Sequence, residues 1–135
     1  MSTFQLQIVT PDGSAFDGQA QKLFCRTIAG DVCILPRHCD YLTALGMGEA
    51  RVTLEDGTVR RAACIGGMLA VAKGRARLVA TTFEWAEDID AQRARAAQEK
   101  AKARLAEKDL DAREMELAQA KLKRALVRTH VAEGG

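Results

Sequence analysis

The chain lacks the features that mark a membrane-spanning, exported or nucleic-acid-binding protein. It has no uncharged run near the ~20 apolar residues that cross a bilayer. Its N-terminus, MSTFQLQIVT, lacks the basic segment and long apolar core of a signal peptide. The net charge is only +2, whereas a nucleic-acid-binding protein needs basic residues concentrated on one face. We expect a soluble, cytosolic chain without transmembrane insertion or a nucleic-acid partner, which could still join a membrane complex through other proteins.

Patterns for catalysis and metal binding are also scarce. The two histidines, His38 and His130, are accompanied by no Ser/His/Asp or metalloprotease pattern, so we expect no enzyme. The cysteines are Cys25, Cys33, Cys39 and Cys64. They form no C-x-x-C pair, which disfavours a zinc ribbon or a thioredoxin motif. The Cys33, His38 and Cys39 spacing is not typical of a metal site, so we expect reduced thiols and no metal.

Glycine and proline divide the chain into two parts. Residues 1–85 hold both prolines and nine of the eleven glycines, whereas residues 86–133 contain neither. The later part is rich in alanine and in charged residues of both signs. This change in composition predicts two domains, spanning 1–86 and 87–135.

The first part alternates with the period of a β-strand. In FQLQIVT, apolar and glutamine side chains point to opposite faces. Turn signals recur every few residues, at Thr10–Gly13, Gly30–Asp31, Glu55–Thr58 and Lys73–Gly74. The Gly66–Gly67 pair has no following helix or P-loop lysine, and we expect it to permit close packing. The pattern predicts an antiparallel β-sandwich of about eight to ten short strands.

The second part has the pattern of two helices. We expect Asp88 to cap the first helix, with Asp90 in its opening turn, and Asp111 with Glu114 to form a capping box for the second. The predicted apolar stripes are Ile89, Ala94, Ala97, Ala101 and Leu105, then Met115, Ala118, Leu122, Ala125 and Leu126. The helices should form an antiparallel hairpin, giving an α+β chain overall. One long helix through 107–111 is the alternative.

This hairpin should be weakly held. Its contact faces are mostly alanine, and a buried methyl group contributes only ~0.8 kcal/mol, against ~1.5–3 kcal/mol for a buried leucine. Ordering the helices opposes that gain at ~1–2 kcal/mol per backbone residue. We therefore expect an appendage that can detach or refold when something else binds.

Several segments together resemble the epsilon subunit of the rotary F-type ATP synthase of bacteria and chloroplasts. They are TPDGSAFDGQAQ, RTIAGDVCILPRHCDYLTAL, GEARV, CIGGMLAV and IDAQRA. They occur in the right order over nearly the whole chain. The resemblance implies an N-terminal β-sandwich with a C-terminal two-helix hairpin, in agreement with the periodicity.

The resemblance also implies a function. Epsilon is a non-catalytic rotor subunit of the central stalk in a proton-translocating ATP synthase. It joins the gamma subunit to the membrane ring of c subunits. Its helices can extend towards the alpha and beta catalytic subunits and inhibit ATP hydrolysis. The implied location is the cytoplasmic face of the bacterial plasma membrane, as a peripheral protein held by the complex.

Residue by residue, the resemblance assigns two sites. The segment with Asp31, Pro36, Arg37 and His38 is similar to the loop that faces the membrane ring. A plain surface turn is the alternative interpretation of this segment.

The second implied site binds ATP as a regulatory ligand, with or without Mg²⁺, and needs no catalytic cofactor. Its residues would be Glu84, Asp90, Arg93, Ala94, Arg124 and Arg128. The carboxylate of Asp90 would accept from adenine or ribose, and the arginines would hold phosphate oxygens in pairs of hydrogen bonds. Lys100 stands where stronger nucleotide binders have a further arginine, and lysine lacks the planar fork.

Two other interpretations of these residues stay open. Asp90 and Arg93 can form a simple ion pair worth ~0.2–0.5 kcal/mol, with Arg124 and Arg128 on a solvated face. The same basic residues can instead grip an acidic segment of a catalytic subunit. A free-standing nucleotide-binding module outside any larger assembly is the competing function.

Overall fold

The computed structural model describes residues 2–134. Met1, the first residue of the predicted domain 1–86, and Gly135, the last residue of the predicted domain 87–135, lie outside the described residues. The chain forms two compact units, Met1–Trp85 and Ala86–Gly135. The first unit contains the strands β1 Phe4–Thr10, β2 Gly13–Thr27, β3 Gly30–Ile34, β4 Tyr41–Ala44, β5 Met47–Leu54, β6 Val59–Ala72 and β7 Arg75–Trp85. The second contains a 3-10 turn at Ala86–Asp88 and the helices α1 Ala91–Leu105 and α2 Ala112–Ala132.

The first unit is a β-sandwich whose sheets share long strands. The strand order is β1-β7-β6-β5-β2-β3, with β4 paired to β6 and β1 paired to β2. The β1–β7 pair is parallel, and the other pairs are antiparallel. The β1–β2 pairing closes the sheet on itself, which removes edges that would otherwise expose unpaired backbone groups. The predicted class, a sandwich followed by two helices, is confirmed.

The strands are fewer and longer than the eight to ten short ones expected. Within residues 2–134, seven strands form the sheet, because β2 runs through Gly18 and β6 runs through Gly66 and Gly67. The predicted break at Gly30–Asp31 is also displaced. Both residues lie in β3 and pair with β2, so the reversal falls at Ile28 and Ala29 instead.

The sandwich core is built from the inward face of each strand. Phe4, Leu6 and Ile8 of β1 are buried, as their alternation predicts. The largest side chains with no exposure include Leu23, Leu69 and Leu78, drawn from other strands. The remaining predicted turns are also confirmed, since strands end and begin on either side of Thr10–Gly13, Glu55–Thr58 and Lys73–Gly74.

The second unit is a helical hairpin packed through alanine. The buried alanines are Ala94 and Ala101 on α1 and Ala118 and Ala125 on α2. Each pair is seven residues apart, which keeps a narrow stripe facing the other helix. The described part of the chain has separate helices α1 and α2, so the single long helix is not the state of this structure.

Parts of the predicted apolar stripes are wrong. Ala97 is exposed, and Met115 and Leu126 are 41% and 42% exposed, respectively. Because the small alanines bring the helices together along a narrow line, larger side chains on the flanks remain in solvent. Leu105 and Leu122 are half-buried.

The cap of the second helix is confirmed and that of the first is displaced. Asp111 precedes α2, and its carboxylate accepts a hydrogen bond of 2.8 Å from the backbone N–H of Glu114. For α1 the cap is Asp90, whereas the expected cap, Asp88, ends the 3-10 turn. Because the 3-10 turn includes Asp88, the α-helix begins later, and its N-cap is Asp90, two residues after the expected one.

Candidate functional site

Three of the residues implied to bind ATP lie at the start of α1, with Asp90 immediately before the helix and Arg93 and Ala94 within it. The Asp90 carboxylate accepts a hydrogen bond of 3.1 Å from the backbone N–H of Arg93. Asp90 is therefore engaged in capping, and it lies before the helix rather than on a helix face shared with Arg93. The Arg93 side chain is exposed, whereas Ala94 is fully buried. Ala94 can serve helix packing but offers no surface to a ligand.

The arginines of α2 lie on the other arm of the hairpin. Arg124 is exposed and Arg128 is half-buried. An ion pair of 2.7 Å joins Arg95 to Glu133, so the start of α1 lies beside the end of α2. This antiparallel arrangement brings Arg93 and Arg128 to the same end of the hairpin, and Arg124 lies one turn further along.

The sixth implied residue, Glu84, belongs to the sandwich unit. It is half-buried near the end of β7, where it pairs with Ala63 of β6. The other five residues of the implied set are all in the helical unit.

The predicted ring-facing segment is divided between a strand and a turn. Asp31 is in β3 and forms an ion pair of 3.0 Å with Arg26, whose pKa is raised by that hydrogen bond and by the carboxylate charge. Pro36 and Arg37 form a turn in which Arg37 has a φ of 65°. His38 donates its backbone N–H to the carbonyl of Leu35 at 3.1 Å. Asp31 is therefore not a loop residue, in contrast to the prediction.

A row of exposed apolar side chains crosses one face of the sheet. Leu42 is 69% exposed, and Met68 and Val79 are each 43% exposed. Met68 pairs with Val79 and with Ala44, two residues from Leu42, so these side chains share a face. We call Leu42, Met68 and Val79 the apolar row.

The apolar row continues to a hairpin tip. Ile28 is 75% exposed, and its backbone N–H donates to Ala44 at 3.1 Å. Sequence reasoning missed this surface because each residue occurs in an ordinary strand pattern. The only signal was a second apolar face in segments such as GGMLAVA, where both strand faces carry apolar residues.

A charged cluster on β5 and β6 also escaped prediction. The side chain of Glu49 is 8% exposed and accepts hydrogen bonds from both Arg51 and Arg61. The guanidinium of Arg51 lies 4.9 Å from the ring centroid of Phe24. The buried carboxylate is thereby compensated by two cations, as a buried charge requires. This cluster stabilises neighbouring strands.

Two of the four thiols are chemically sheltered. Burial raises the pKa of both Cys25 and Cys64 to about 12, with smaller contributions from nearby acidic groups. Cys33 and Cys39 are exposed. Within residues 2–134, no three His, Cys, Asp or Glu side chains gather in a way that could hold a metal ion.

None of the helices in the described part of the chain is both long and apolar enough to cross a membrane. The described residues form a β-sandwich unit with an apolar sheet face and a helical unit, packed through alanine, with basic residues at the open end of its hairpin.

Family models match both units of this architecture. Residues 3–86 match the β-sandwich domain of the ATP synthase delta/epsilon chain, and residues 87–133 match its long α-helix domain. The chain belongs to the ATP synthase delta/epsilon chain family, and it is a non-catalytic subunit.

Relatives of similar length carry the same description. The chain is 37% identical over 133 residues to an ATP synthase epsilon chain of Caldicellulosiruptor bescii, covering 98% of this chain and 96% of the relative. It is 39% identical over 134 residues to the epsilon chain of Bacillus velezensis, covering 98% of each. The likeness to bacterial epsilon subunits is therefore confirmed.

Solved structures share the fold at low sequence identity. A chain in the Euglena gracilis mitochondrial ATP synthase, in a structure of OSCP, F1 and c-ring, has a TM-score of 0.81 at 20% identity. The alignment covers 91% of this chain and 77% of that one. A chain of the Tetrahymena thermophila central stalk and c-ring has a TM-score of 0.61 at 15% identity, with 95% of each covered.

Proposed function

We propose that this chain is the rotor subunit that joins gamma to the membrane ring of c subunits in a proton-translocating ATP synthase. Support comes from the family, from epsilon chains of nearly the same length, and from relatives of the same fold in structures described as central stalk and c-ring. As a member of that complex, the chain lies peripherally at the cytoplasmic face of the bacterial membrane.

The observation that carries this proposal is the apolar row. Leu42, Met68 and Val79 lie on a sheet face that would be costly to leave in water, and such faces are typical of protein contact surfaces. A rigid sheet presents these side chains without ordering a loop, which lowers the entropic cost of binding. Gamma is the partner that we assign to this face.

Binding to purified gamma tests the assignment. Leu42→Asp and Met68→Asp should each weaken the affinity by about tenfold or more, because a buried charge replaces an apolar contact. Val59→Asp is the matched control, since Val59 is 52% exposed but lies elsewhere, in the β5–β6 hairpin. Unchanged affinity in both row variants would exclude this face.

The turn with Pro36, Arg37 and His38, which follows β3, is proposed to face the c subunits, and Asp31, near the start of β3, remains a predicted contact of the same ring. The exposed side chain and positive φ of Arg37 present a charge at the surface of the turn. Arg37→Glu should weaken assembly with the purified ring and leave gamma binding unchanged. Equal assembly of the variant and the parent would remove Arg37 from that contact.

The hairpin is proposed to be the regulatory element that inhibits ATP hydrolysis. Its narrow alanine contact supports this role, because a weak contact permits the helices to separate and reach the alpha and beta catalytic subunits. Removing residues 87–135 from the assembled enzyme should raise its ATP hydrolysis rate. An unchanged rate would contradict inhibition by the hairpin.

ATP is the proposed regulatory ligand of the hairpin, with or without Mg²⁺. Arg93, Arg124 and Arg128 lie on adjacent helices near the open end, where guanidinium groups can surround a phosphate chain. One carboxylate oxygen of Asp90 accepts the capping hydrogen bond, so the other oxygen is the one that Asp90 can offer to ATP. Ala94 shapes the helix contact, and Glu84 remains a predicted ligand from β7.

Calorimetry with ATP tests this site on the full chain. Arg93→Ala should weaken binding about tenfold or more, since a paired phosphate contact is lost. Arg113→Ala is the control, because Arg113 is also exposed but lies at the start of α2. If the parent protein gives no binding heat, with and without Mg²⁺, ATP is not its ligand. Contact with a catalytic subunit would then be the function assigned to the basic residues.

A further inference from the structure

The connection between α1 and α2 lacks a glycine or a left-handed residue to enforce its bend, and its extended residue is Asp111 (φ −77°, ψ 174°), which caps α2. Residues 106–111 contain no glycine, and none of them has a positive φ. Ala106, the C-cap residue that follows α1, has right-handed helical angles of φ −77° and ψ −12°. Helices that stop firmly usually end on a left-handed residue. Here the backbone angles at the end of α1 are compatible with continued helix.

Side chains close the bend instead. Arg104, in the last turn of α1, donates hydrogen bonds to Glu107 in the connection and to Glu114 in the first turn of α2, the latter at 3.3 Å. One guanidinium therefore holds the connection and both helices together. Glu114 is also the residue whose backbone N–H is capped by Asp111, so its position is fixed from two directions.

We propose that Arg104 is a latch that holds the hairpin folded against conversion to a continuous helix. The three side chains are each nearly half exposed, at 49%, 45% and 45%. Their attraction is therefore modest and is screened by salt. An interaction of this strength favours the hairpin but leaves the continuous helix accessible. This inference rests on the proposed movable hairpin, and it names the residue that sets its balance.

The distance between the helices distinguishes the two states. In a continuous helix, residues 92 and 123 would lie about 46 Å apart at about 1.5 Å per residue. In the hairpin these positions are on neighbouring helices, whose axes are typically about 8–10 Å apart. Spin labels at Gln92 and Lys123, both exposed, report on this distance by pulsed electron resonance. Cys33→Ser and Cys39→Ser remove the exposed native thiols in every variant.

The test compares Arg104→Met with Lys102→Met in the full chain. Methionine has a helix propensity close to that of arginine and lysine, so the backbone preference is nearly unchanged. Lys102 pairs within α1 with Glu99 at 3.7 Å and does not bridge the bend. Arg104→Met should raise the ratio of long-distance to short-distance molecules about two- to fivefold, whereas Lys102→Met should not.

Two further measurements complete the design. Glu114→Gln should reproduce part of the shift, and adding it to Arg104→Met should produce little more, because both changes break the same contact. High salt should move the parent towards Arg104→Met. Equal distance distributions in the arginine and lysine variants would overturn the latch. These measurements use no gamma, ATP or catalytic subunits, so failure of the latch is distinguishable from failure of the proposed function.

Discussion

Gly67 occupies a position on β6 that leaves no space for a side chain. A Cβ atom there would lie 2.0 Å from the carbonyl oxygen of Val79, and the φ of Gly67 is +119°. We predict that Gly67→Ala lowers the free energy of unfolding by about 3 kcal/mol or more. Denaturant unfolding measures this. Gly18→Ala is the control, since its nearest neighbour is a Phe16 ring atom at 3.7 Å. Equal stability of the two variants would contradict the close contact.

The buried thiols predict a loss of stability at alkaline pH. Cys25 and Cys64 have a pKa raised from 9.0 to about 12 in the folded chain, because burial disfavours the thiolate. Above pH 9 the unfolded chain releases these protons and the folded chain retains them, so the unfolded state is favoured as pH rises. Each thiol should lower the free energy of unfolding by about 1.4 kcal/mol per pH unit between those pKa values.

Unfolding measured from pH 8 to 10.5 tests this prediction. The variant with Cys25→Ala and Cys64→Ala should be less stable at pH 8 but should show a shallower alkaline slope than the parent. Cys39→Ser is the control, because this thiol is exposed and is not among the groups that raise the pKa of Cys25 or Cys64. Identical slopes in all three proteins would show that the buried thiols titrate normally.

The alanine contact between α1 and α2 leads to a prediction for the helices. Ala101 is 6% exposed, and a leucine there would push the helices apart. We predict that Ala101→Leu destabilises the hairpin by about 1–3 kcal/mol. Hydrogen exchange at the amides of 118–125 should become faster. Ala103→Leu, at an exposed position of the same helix, is the control. Equal exchange in both variants would mean that the helices do not meet at Ala101.

The elements differ in how far local sequence determined them. The cap at Asp111 was predictable because aspartate followed by Glu114 satisfies two positions of one local motif. The cap at Asp90 was not, because Asp88 and Asp90 are equally suitable and only the extra 3-10 turn decides between them. The reversal at Ile28–Ala29 was misplaced by two residues, because Gly30, with a φ of +120°, closes the hairpin opposite Thr27 instead of lying at its tip.

Surfaces assembled from strands that are distant in the chain could not be predicted from local sequence patterns. Val79 and Met68 become neighbours only through the register of β6 and β7, and Leu42 joins them through β4. The basic residues of the hairpin were found because the resemblance supplied them. The capping role of Asp90 depends on a backbone angle that composition does not reveal.

The two units should differ in independent stability when separated. The sandwich has its own core of large apolar side chains, including Leu6, Leu23 and Leu78 at 0% exposed. Burial of a leucine contributes ~1.5–3 kcal/mol, several times the ~0.8 kcal/mol of an alanine methyl group. We predict that a fragment of residues 1–86 unfolds in one cooperative transition by circular dichroism.

The complementary fragment, residues 87–135, should behave differently. Its α1 has 15 residues, about the length below which isolated helices are marginal in water, and its α2 of 21 residues has only a narrow alanine contact to stabilise it. We expect partial helicity at 222 nm and a broad melt, with helicity rising as temperature falls. A sharp, cooperative melt of this fragment would show that the alanine contact alone is strong. A hairpin of that strength could not be shifted by the weak exposed ion pairs at Arg104, so the same result would count against both the latch and a regulatory movement of the helices.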